Sequence, residues 1–553
     1  MGKIFWRHPG HLVWILFAYL PFLGRFGIPL TGDQKTYIAV AMEMREKGEW
    51  LRPLLFGEGN YLKPPFQYWM TLLGWKAFGF NLFGTFVPSV IALALTAWFL
   101  SEIASSLGER RWYVNSGLWF AATIGAMTYG TTAQMEIYVC LFYTAAWWAA
   151  MMYFRVNMEE RSPAWLYLAF IIAGVSSLVK SPLYAVLWVL SFCIYGTIAG
   201  EWLLLKSKHL YLALAVGVAV GLAWFVVILG VDGDRFWDQY WIQEQVNKKG
   251  GNGSTIWNLW GPLFYMAFPF TLLAITAARA LFLRRRSNSI ITFLVAWCLP
   301  PAIFFSAYPY RTSVYLFILV PALAILVDWG CFRTNRTRTF MWASRGTGLL
   351  LFVALALAAL ALHRAEFIPV WLALALVFTG SAAVIVSWMG WMRVFAICSL
   401  GGILFFRIAA VEVVSGDTQR LVDAIAKSGS NGELAMLDEA RNIWHEIGLV
   451  SVTLEKPMRR LYGLDDCVDL LKRGGLLILS DEEYERYHQT LKQFMNDQGL
   501  ELVSEPWRRF KRRQRLPIRE VLLDGRAAVP DFDDIITREF QIVVAKKKDQ
   551  KKG

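Results

Sequence analysis

Charge is what this sequence has little of. Only 18% of its 553 residues are Asp, Glu, Lys or Arg, where a soluble protein carries about 25%, which argues against an ordinary cytosolic enzyme. Paired cysteines are lacking too. Cys140, Cys193, Cys298, Cys331, Cys398 and Cys467 are scattered, most of them within apolar runs, and no C-x-x-C occurs. Neither a disulfide framework nor a zinc knuckle is therefore indicated. What is abundant is apolar: 56% of the chain is hydrophobic and 15% aromatic, too much surface seeking burial for a disordered chain. The net charge of +13 is unevenly spread, with 31 Lys/Arg against 18 Asp/Glu in residues 1–414 and 24 of each in residues 415–553. The pattern predicts a membrane protein carrying a nearly neutral, polar C-terminal domain.

A hydrocarbon core of about 30 Å needs about 20 apolar residues at 1.5 Å each. Runs of that kind occur near 11–30, 85–105, 113–130, 134–154, 164–180, 182–200, 210–230, 260–283, 288–307, 312–330, 346–363, 369–388 and 391–412. The expected fold class is thus mostly α and polytopic, with about thirteen spans. Lys3 and Arg7 precede the first run and no small-residue cleavage site follows at Pro21–Arg25, so that run reads as an uncleaved span. With the N-terminus inside, the cytoplasmic links collect Arg110/Arg111, Arg155/Arg161, Lys206/Lys208, Arg284–Arg286, Arg333–Arg345 and Arg393, as the positive-inside rule requires. The outer face then holds two long loops, 31–84 and 231–259, and the domain beginning at residue 415. In the first loop, Tyr37–Lys47 and Leu62–Gly74 read as helical segments with aromatic faces, suited to the interface plane. Trp257 and Trp260 suit an interfacial aromatic belt.

Ionisable groups in or beside spans are costly, so each is a functional candidate. Five fall on the outer face at similar depth: Asp33 after the first span, Lys63 in Tyr61-Leu-Lys-Pro-Pro, Glu136 at the start of the fourth, Lys180 at the end of the fifth and Arg311 at the start of the tenth. Plainer roles exist for each. Asp33 can cap a helix, Glu136 can complement a helix dipole, and Lys180 and Arg311 can snorkel. Jointly they suit transfer from an anionic leaving group, in which cations neutralise a departing phosphate and a carboxylate takes the proton of the nucleophile. The Pro-Pro after Lys63 stiffens that lysine's segment.

At these residues the sequence resembles the polyprenyl-phosphate-sugar-dependent membrane glycosyltransferases of fold class C, the family of lipid A aminoarabinose transferase and the protein O-mannosyltransferases. The resemblance runs over about residues 10–330. It rests on Asp33, Gly48-Glu-Trp50, Pro53 and Lys63-Pro-Pro-Phe-Gln-Tyr-Trp69, then Thr131–Glu136, Gly174–Pro182, and Phe305–Arg311 with Tyr315 and Pro321, in that order. It implies that Asp33 is the catalytic carboxylate and Glu136 the second acid. Lys63, Lys180 and Arg311 would face the donor phosphate, with Tyr61 and Tyr310 lining the cavity. Three features depart from the family: Gln34 follows Asp33, Leu62 stands where the aminoarabinose transferases carry Glu, and loop 231–259 has no His. No metal and no other cofactor is therefore expected, and the sugar is not expected to be aminoarabinose itself.

The implied activity is inverting transfer of a sugar from a polyprenyl-phosphate donor to an envelope glycolipid such as lipid A, at the outer face of a bacterial inner membrane. The alternatives are transfer to protein Ser/Thr and a transporter or flippase of lipid-linked sugar. Transporters place their sites near the midplane and show paired repeats, and no half-to-half repetition is visible here. The expected domains are a transmembrane glycosyltransferase domain at 1–414, a periplasmic α/β domain at 415–545 and a disordered basic tail at 546–553. Within the α/β domain, helices are expected at Thr418–Lys427, Leu464–Lys472 and Asp481–Gln498, and strands at Glu433–Leu437, Gly475–Leu479 and Phe540–Ala545. It shows no glycine-rich phosphate loop. The run Trp507–Arg515 reads as a solvated basic loop or a contact for anionic headgroups. An outer domain makes nucleic acid an unexpected partner.

Overall fold

The computed structural model describes residues 9–23, 32–55, 57–107, 115–155, 160–247, 253–283, 289–334, 337–409, 432–437, 458–461, 463–498, 500–510 and 537–547. The expected helix at Thr418–Lys427 and the basic tail from residue 548 lie outside them, as does the part of the Trp507–Arg515 run beyond Phe510.

Long apolar stretches become helices because only a helix satisfies its own backbone polar groups away from water. In chain order these are α1 Pro9–Tyr19, α2 Gly32–Lys47, α3 Phe66–Phe78, α4 Leu82–Leu107, α5 Ser116–Ala121, α6 Ile124–Gly130, α7 Met135–Phe154, α8 Pro163–Ser176 and α9 Pro182–Ile198. Then come α10 Lys208–Val231, α11 Gly233–Phe236, a π-helix at Trp237–Val246, α12 Ile256–Met266, α13 Thr271–Leu283, α14 Ser289–Ala307, α15 Val320–Arg333, α16 Arg338–Arg364, α17 Val370–Trp388 and α18 392–409. Among the described residues, eight helices are long and apolar enough to cross a membrane, or nine if α12 and α13, bent by 102° at their junction, make one span. The run at 113–130 is divided into α5 and α6, and α8 and α9 are shorter than a full span. In the first loop, the two expected helices appear as α2 and α3, the second beginning four residues later than read because Pro64 and Pro65 precede it.

The core runs between α4 and α7, which are buried along most of their length, whereas α10, α16 and α17 turn much of theirs outward. Trp147, Trp188 and Trp297 are fully buried, and the rings of Trp147 and Trp297 stack 6.2 Å apart. Small residues bring helices close. The Cβ position of Gly174 in α8 is 2.2 Å from the Gly217 carbonyl oxygen, so α8 and the Gly217-x-x-x-Gly221 stripe of α10 touch backbone to backbone.

Beyond α18, a five-stranded sheet has the order β4-β3-β5-β7-β6, with β3 Leu434–Leu437, β4 Met458–Leu461, β5 Leu476–Ser480, β6 Leu500–Phe510 and β7 Thr537–Lys547. The β3 pairings with β4 and β5 are parallel, and β7 runs antiparallel to β5 and β6. Helices Leu464–Lys472 and Asp481–Asp497 accompany it. One reading is corrected: Trp507–Phe510 is not loop but the end of β6, with Trp507 opposite Phe540. Pairing across non-local strands overrode the high local charge.

Candidate active site

The first loop is shaped by a few local devices. Gly48 at φ 66° ends α2, a backbone position that an L side chain rarely adopts. The Glu49 side chain then accepts from the Leu51 N–H at 3.0 Å and Arg52 Nε at 3.2 Å, closing the turn. A two-residue hairpin, β1 Leu54–Leu55 with β2 Glu58–Gly59, follows. Past Lys63, Pro65 directly precedes α3, and the Phe66 N–H donates to the Leu178 carbonyl at 3.2 Å. That bond ties the Lys63 segment to the turn that presents Lys180.

The loop after α10 grips the first loop. Tyr61 donates its hydroxyl to Asp232 Oδ2 at 2.9 Å, and its N–H goes to Gln239 Oε1 at 2.7 Å. Arg235 Nε and Gln239 Nε2 both donate to the Gly59 carbonyl, at 2.8 and 3.2 Å, and Arg235 pairs with Glu58. Trp224 Nε1 reaches the Leu51 carbonyl at 2.9 Å.

Each expected site residue has a definite place. Asp33 is exposed in the first turn of α2, where its charge complements the helix dipole. Glu136 is in the first turn of α7, and Lys180, on the turn between α8 and α9, donates to its Oε1 at 2.7 Å, with both side chains at least 87% buried. The Lys180 ammonium also sits 5.3 Å from the centre of the Tyr315 ring. Lys63 pairs with Glu244 of the π-helix. Arg311 donates to the carbonyls of Ser254 at 2.9 Å and Ser306 at 3.3 Å. Tyr310 is partly buried beside it in sequence. Tyr61 departs from the cavity wall expected of it: it is fully buried against Trp224 and Phe236, and it holds the two loops together.

The acids converge on one phenol. Tyr37 of α2 is buried with its ring 6.0 Å from that of Tyr68. Burial pushes the Tyr37 hydroxyl well above the usual tyrosine range, and the carboxylates of Asp33, Glu136 and Glu244 push it further. Tyr68 is raised by burial and by Asp33 and Glu244. Both phenols therefore stay protonated as donors. The carboxylates of Asp33, Glu136 and Glu244, from α2, α7 and the π-helix, each act on Tyr37, and Lys63 and Lys180 are paired with Glu244 and Glu136.

Glu244, Asp232 and Tyr37 were not picked out by the sequence reading. An acid in a polar loop is unremarkable, but the rule used for the other five, ionisable groups bordering spans on one face, extends to Asp232 directly after α10 and to Glu244 on the same loop. Among the described residues, no group of three or more His, Cys, Asp or Glu is arranged to hold a metal ion.

Glu136→Gln is expected to strand Lys180. Breaking a buried ion pair on one side leaves a charge without its partner, and the loss here is expected to be about 3 kcal/mol. Thermal unfolding in detergent measures it, with Glu136→Gln/Lys180→Met as the compensating double variant. A single variant as stable as wild type would contradict the pairing.

The chain is thus a polytopic helical bundle in which two largely buried lysine–carboxylate pairs lie beside two interlocked loops. Superposition on the crystal structure of ArnT from Cupriavidus metallidurans bound to undecaprenyl phosphate gives a TM-score of 0.72 at 15% identity over 97% of each chain, and on its apo state 0.68 at 17% over 87% of this chain and 94% of that one. The family described as dolichyl-phosphate-mannose-protein mannosyltransferase matches residues 62–226. Undecaprenyl phosphate-alpha-4-amino-4-deoxy-L-arabinose arabinosyl transferase 2 of Pseudomonas fluorescens (strain Pf0-1) is 28% identical over 337 residues, 58% of this chain and 59% of that protein. The corresponding transferase of Pseudomonas aeruginosa (strain UCBPP-PA14) is 28% identical over 389 residues, 66% of this chain and 68% of its own length. The chain thus spans about three-fifths of the first relative's length. The chain is similar to transferases named for an undecaprenyl-phosphate-linked sugar, and its fold is similar to that of ArnT.

Proposed function

We propose that the chain is an integral membrane glycosyltransferase that moves a sugar from a polyprenyl-phosphate donor to an envelope glycolipid such as lipid A, inverting the anomeric centre. The observation that supports this reading is the two largely buried ion pairs, Lys63 with Glu244 and Lys180 with Glu136, whose segments are tied together by the Phe66 N–H to the Leu178 carbonyl. Asp33 takes, or orients, the proton of the acceptor hydroxyl. The acceptor oxygen forms its bond to the anomeric carbon as the bond to the phosphate oxygen breaks. The electron pair leaves with the polyprenyl phosphate, whose charge Lys63, Lys180 and Arg311 neutralise. Relatives named for an undecaprenyl-phosphate-linked sugar support the donor class.

In this reading the bundle has thirteen spans in a bacterial inner membrane, with the N-terminus cytoplasmic and the cluster and the C-terminal α/β domain periplasmic. The match to a protein mannosyltransferase family over residues 62–226 favours protein Ser/Thr as the second acceptor class. Mass analysis of envelope lipids from a deletion strain tests the assignment. Loss of one sugar from a glycolipid, restored by the wild-type chain, is the expected result; an unaltered lipid profile with under-glycosylated envelope protein selects the second acceptor. Sugar release from purified donor lipid separates an enzyme from a flippase. Lys63→Ala is expected to raise the donor KM by about tenfold, the effect of losing one charge-assisted contact, with a smaller change in kcat. Unchanged donor kinetics would remove its phosphate role.

A further inference from the structure

The two lysines are each neutralised by a carboxylate. Lys180 is held by Glu136 and Lys63 by Glu244, each pair largely out of water. An anionic phosphate approaching two neutral pairs gains little unless a carboxylate gives way, because the attraction of each lysine is cancelled at close range by its own acid. The two acids differ in how firmly they are built in. Glu136 lies in the first turn of the twenty-residue helix α7, buried on nearly all sides, where the helix dipole favours its charge. Glu244 is carried by a ten-residue π-helix, a geometry that is rare and occurs at functional sites. Asp232 and Arg235 just before that segment and Gln239 in its first half are bonded to the first loop, whereas Glu244 in its second half holds Lys63.

Resting on the donor class proposed above, we propose that Glu244 is an internal competitor for the donor phosphate: it occupies Lys63 in the empty site, the phosphate displaces it, and its return to Lys63 drives out the polyprenyl phosphate left after transfer. Glu244 is thus a positioning residue acting through Lys63. The charge balance favours this cycle. The sugar phosphodiester brings one negative charge and displaces one carboxylate. The product phosphate monoester carries up to two, and the returning carboxylate offsets the tighter hold on it.

Binding of undecaprenyl phosphate to the purified full-length protein tests the proposal, together with the donor KM and kcat. Glu244→Gln removes the competing charge and keeps the shape. It is expected to tighten undecaprenyl phosphate binding and lower the donor KM by about tenfold, while kcat falls because product leaves slowly. A variant that only loosened Lys63 would shift KM upward instead. Glu244→Asp, which keeps a carboxylate, is expected to restore the wild-type affinity, and in a Lys63→Ala background Glu244→Gln is expected to have no effect on binding. Weaker or unchanged binding by Glu244→Gln overturns the proposal while wild-type binding still upholds the donor class. If wild type binds no undecaprenyl phosphate, both fall.

Discussion

Asp33→Asn is expected to lower sugar transfer by about 10³-fold, within the range that a positioned general base contributes, and to leave the protein folded. The two halves of this expectation have separate physical grounds. Asparagine cannot accept a proton at neutral pH, so the acceptor hydroxyl would attack unassisted. Folding is spared because Asp33 is exposed in the first turn of α2, where asparagine keeps the shape and forfeits only a charge–dipole term of about 0.5 kcal/mol. Transfer from purified donor lipid, with thermal unfolding as the control, is the measurement. Near-normal transfer would remove Asp33 from the mechanism. Under the proposed mechanism the variant still binds undecaprenyl phosphate, since Lys63, Lys180 and Arg311 are untouched, and this sets it apart from Lys63→Ala.

Gly174→Leu is expected to have the largest effect on stability. Its Cβ would stand 2.2 Å from the Gly217 carbonyl oxygen and 3.0 Å from the Gly217 carbonyl carbon, both backbone atoms that cannot rotate away. Gly217 in turn lies against the Phe170 carbonyl oxygen at 2.5 Å from its own Cβ position, so neither helix can yield without parting from the other. Overpacking costs about 1–3 kcal/mol where side chains can shift, and separation of two backbones is expected at or beyond the upper end. The effect does not stop at the seam. The Leu178 carbonyl that receives the Phe66 N–H, and Lys180 itself, follow α8 directly, so a displaced helix pulls Lys180 from Glu136. Gly230→Leu is the control, because nothing lies within 4 Å of its Cβ position. Equal unfolding temperatures for the two variants would refute the close-packing account.

Much of the fold was legible because the membrane imposes one local rule, that apolar backbone must be helical. Helices α4, α7, α10, α14, α16 and α17 fall on apolar runs for that reason. In the C-terminal domain, Leu464–Lys472 was read to the residue and Asp481–Asp497 within one, since both are amphipathic over several turns. Where the reading missed, longer-range forces were at work. The 102° bend between α12 and α13 has no period to announce it. The strand at Leu500–Phe510 is made by its partner Thr537–Lys547, across a stretch of sequence no local window spans.

For the site, residue types and their order along the chain make Asp33, Lys63, Glu136, Lys180 and Arg311 the candidates, because a charge beside a span is costly. Which acid holds which base was not in that order. Lys180 could be matched with Glu136, and Lys63 with Glu244, only once α7, α8 and the π-helix were packed together. The physical reason is the range of the forces. The cost of burying a charge belongs to one residue and can be read where it stands, whereas the pairing that offsets it depends on a separation of a few ångströms between residues 181 positions apart in the chain. Sequence alone determined that this is a multi-pass membrane protein with cations and acids beside its apolar runs. The tertiary structure decided that each of the two lysines is engaged by a carboxylate far from it in the chain.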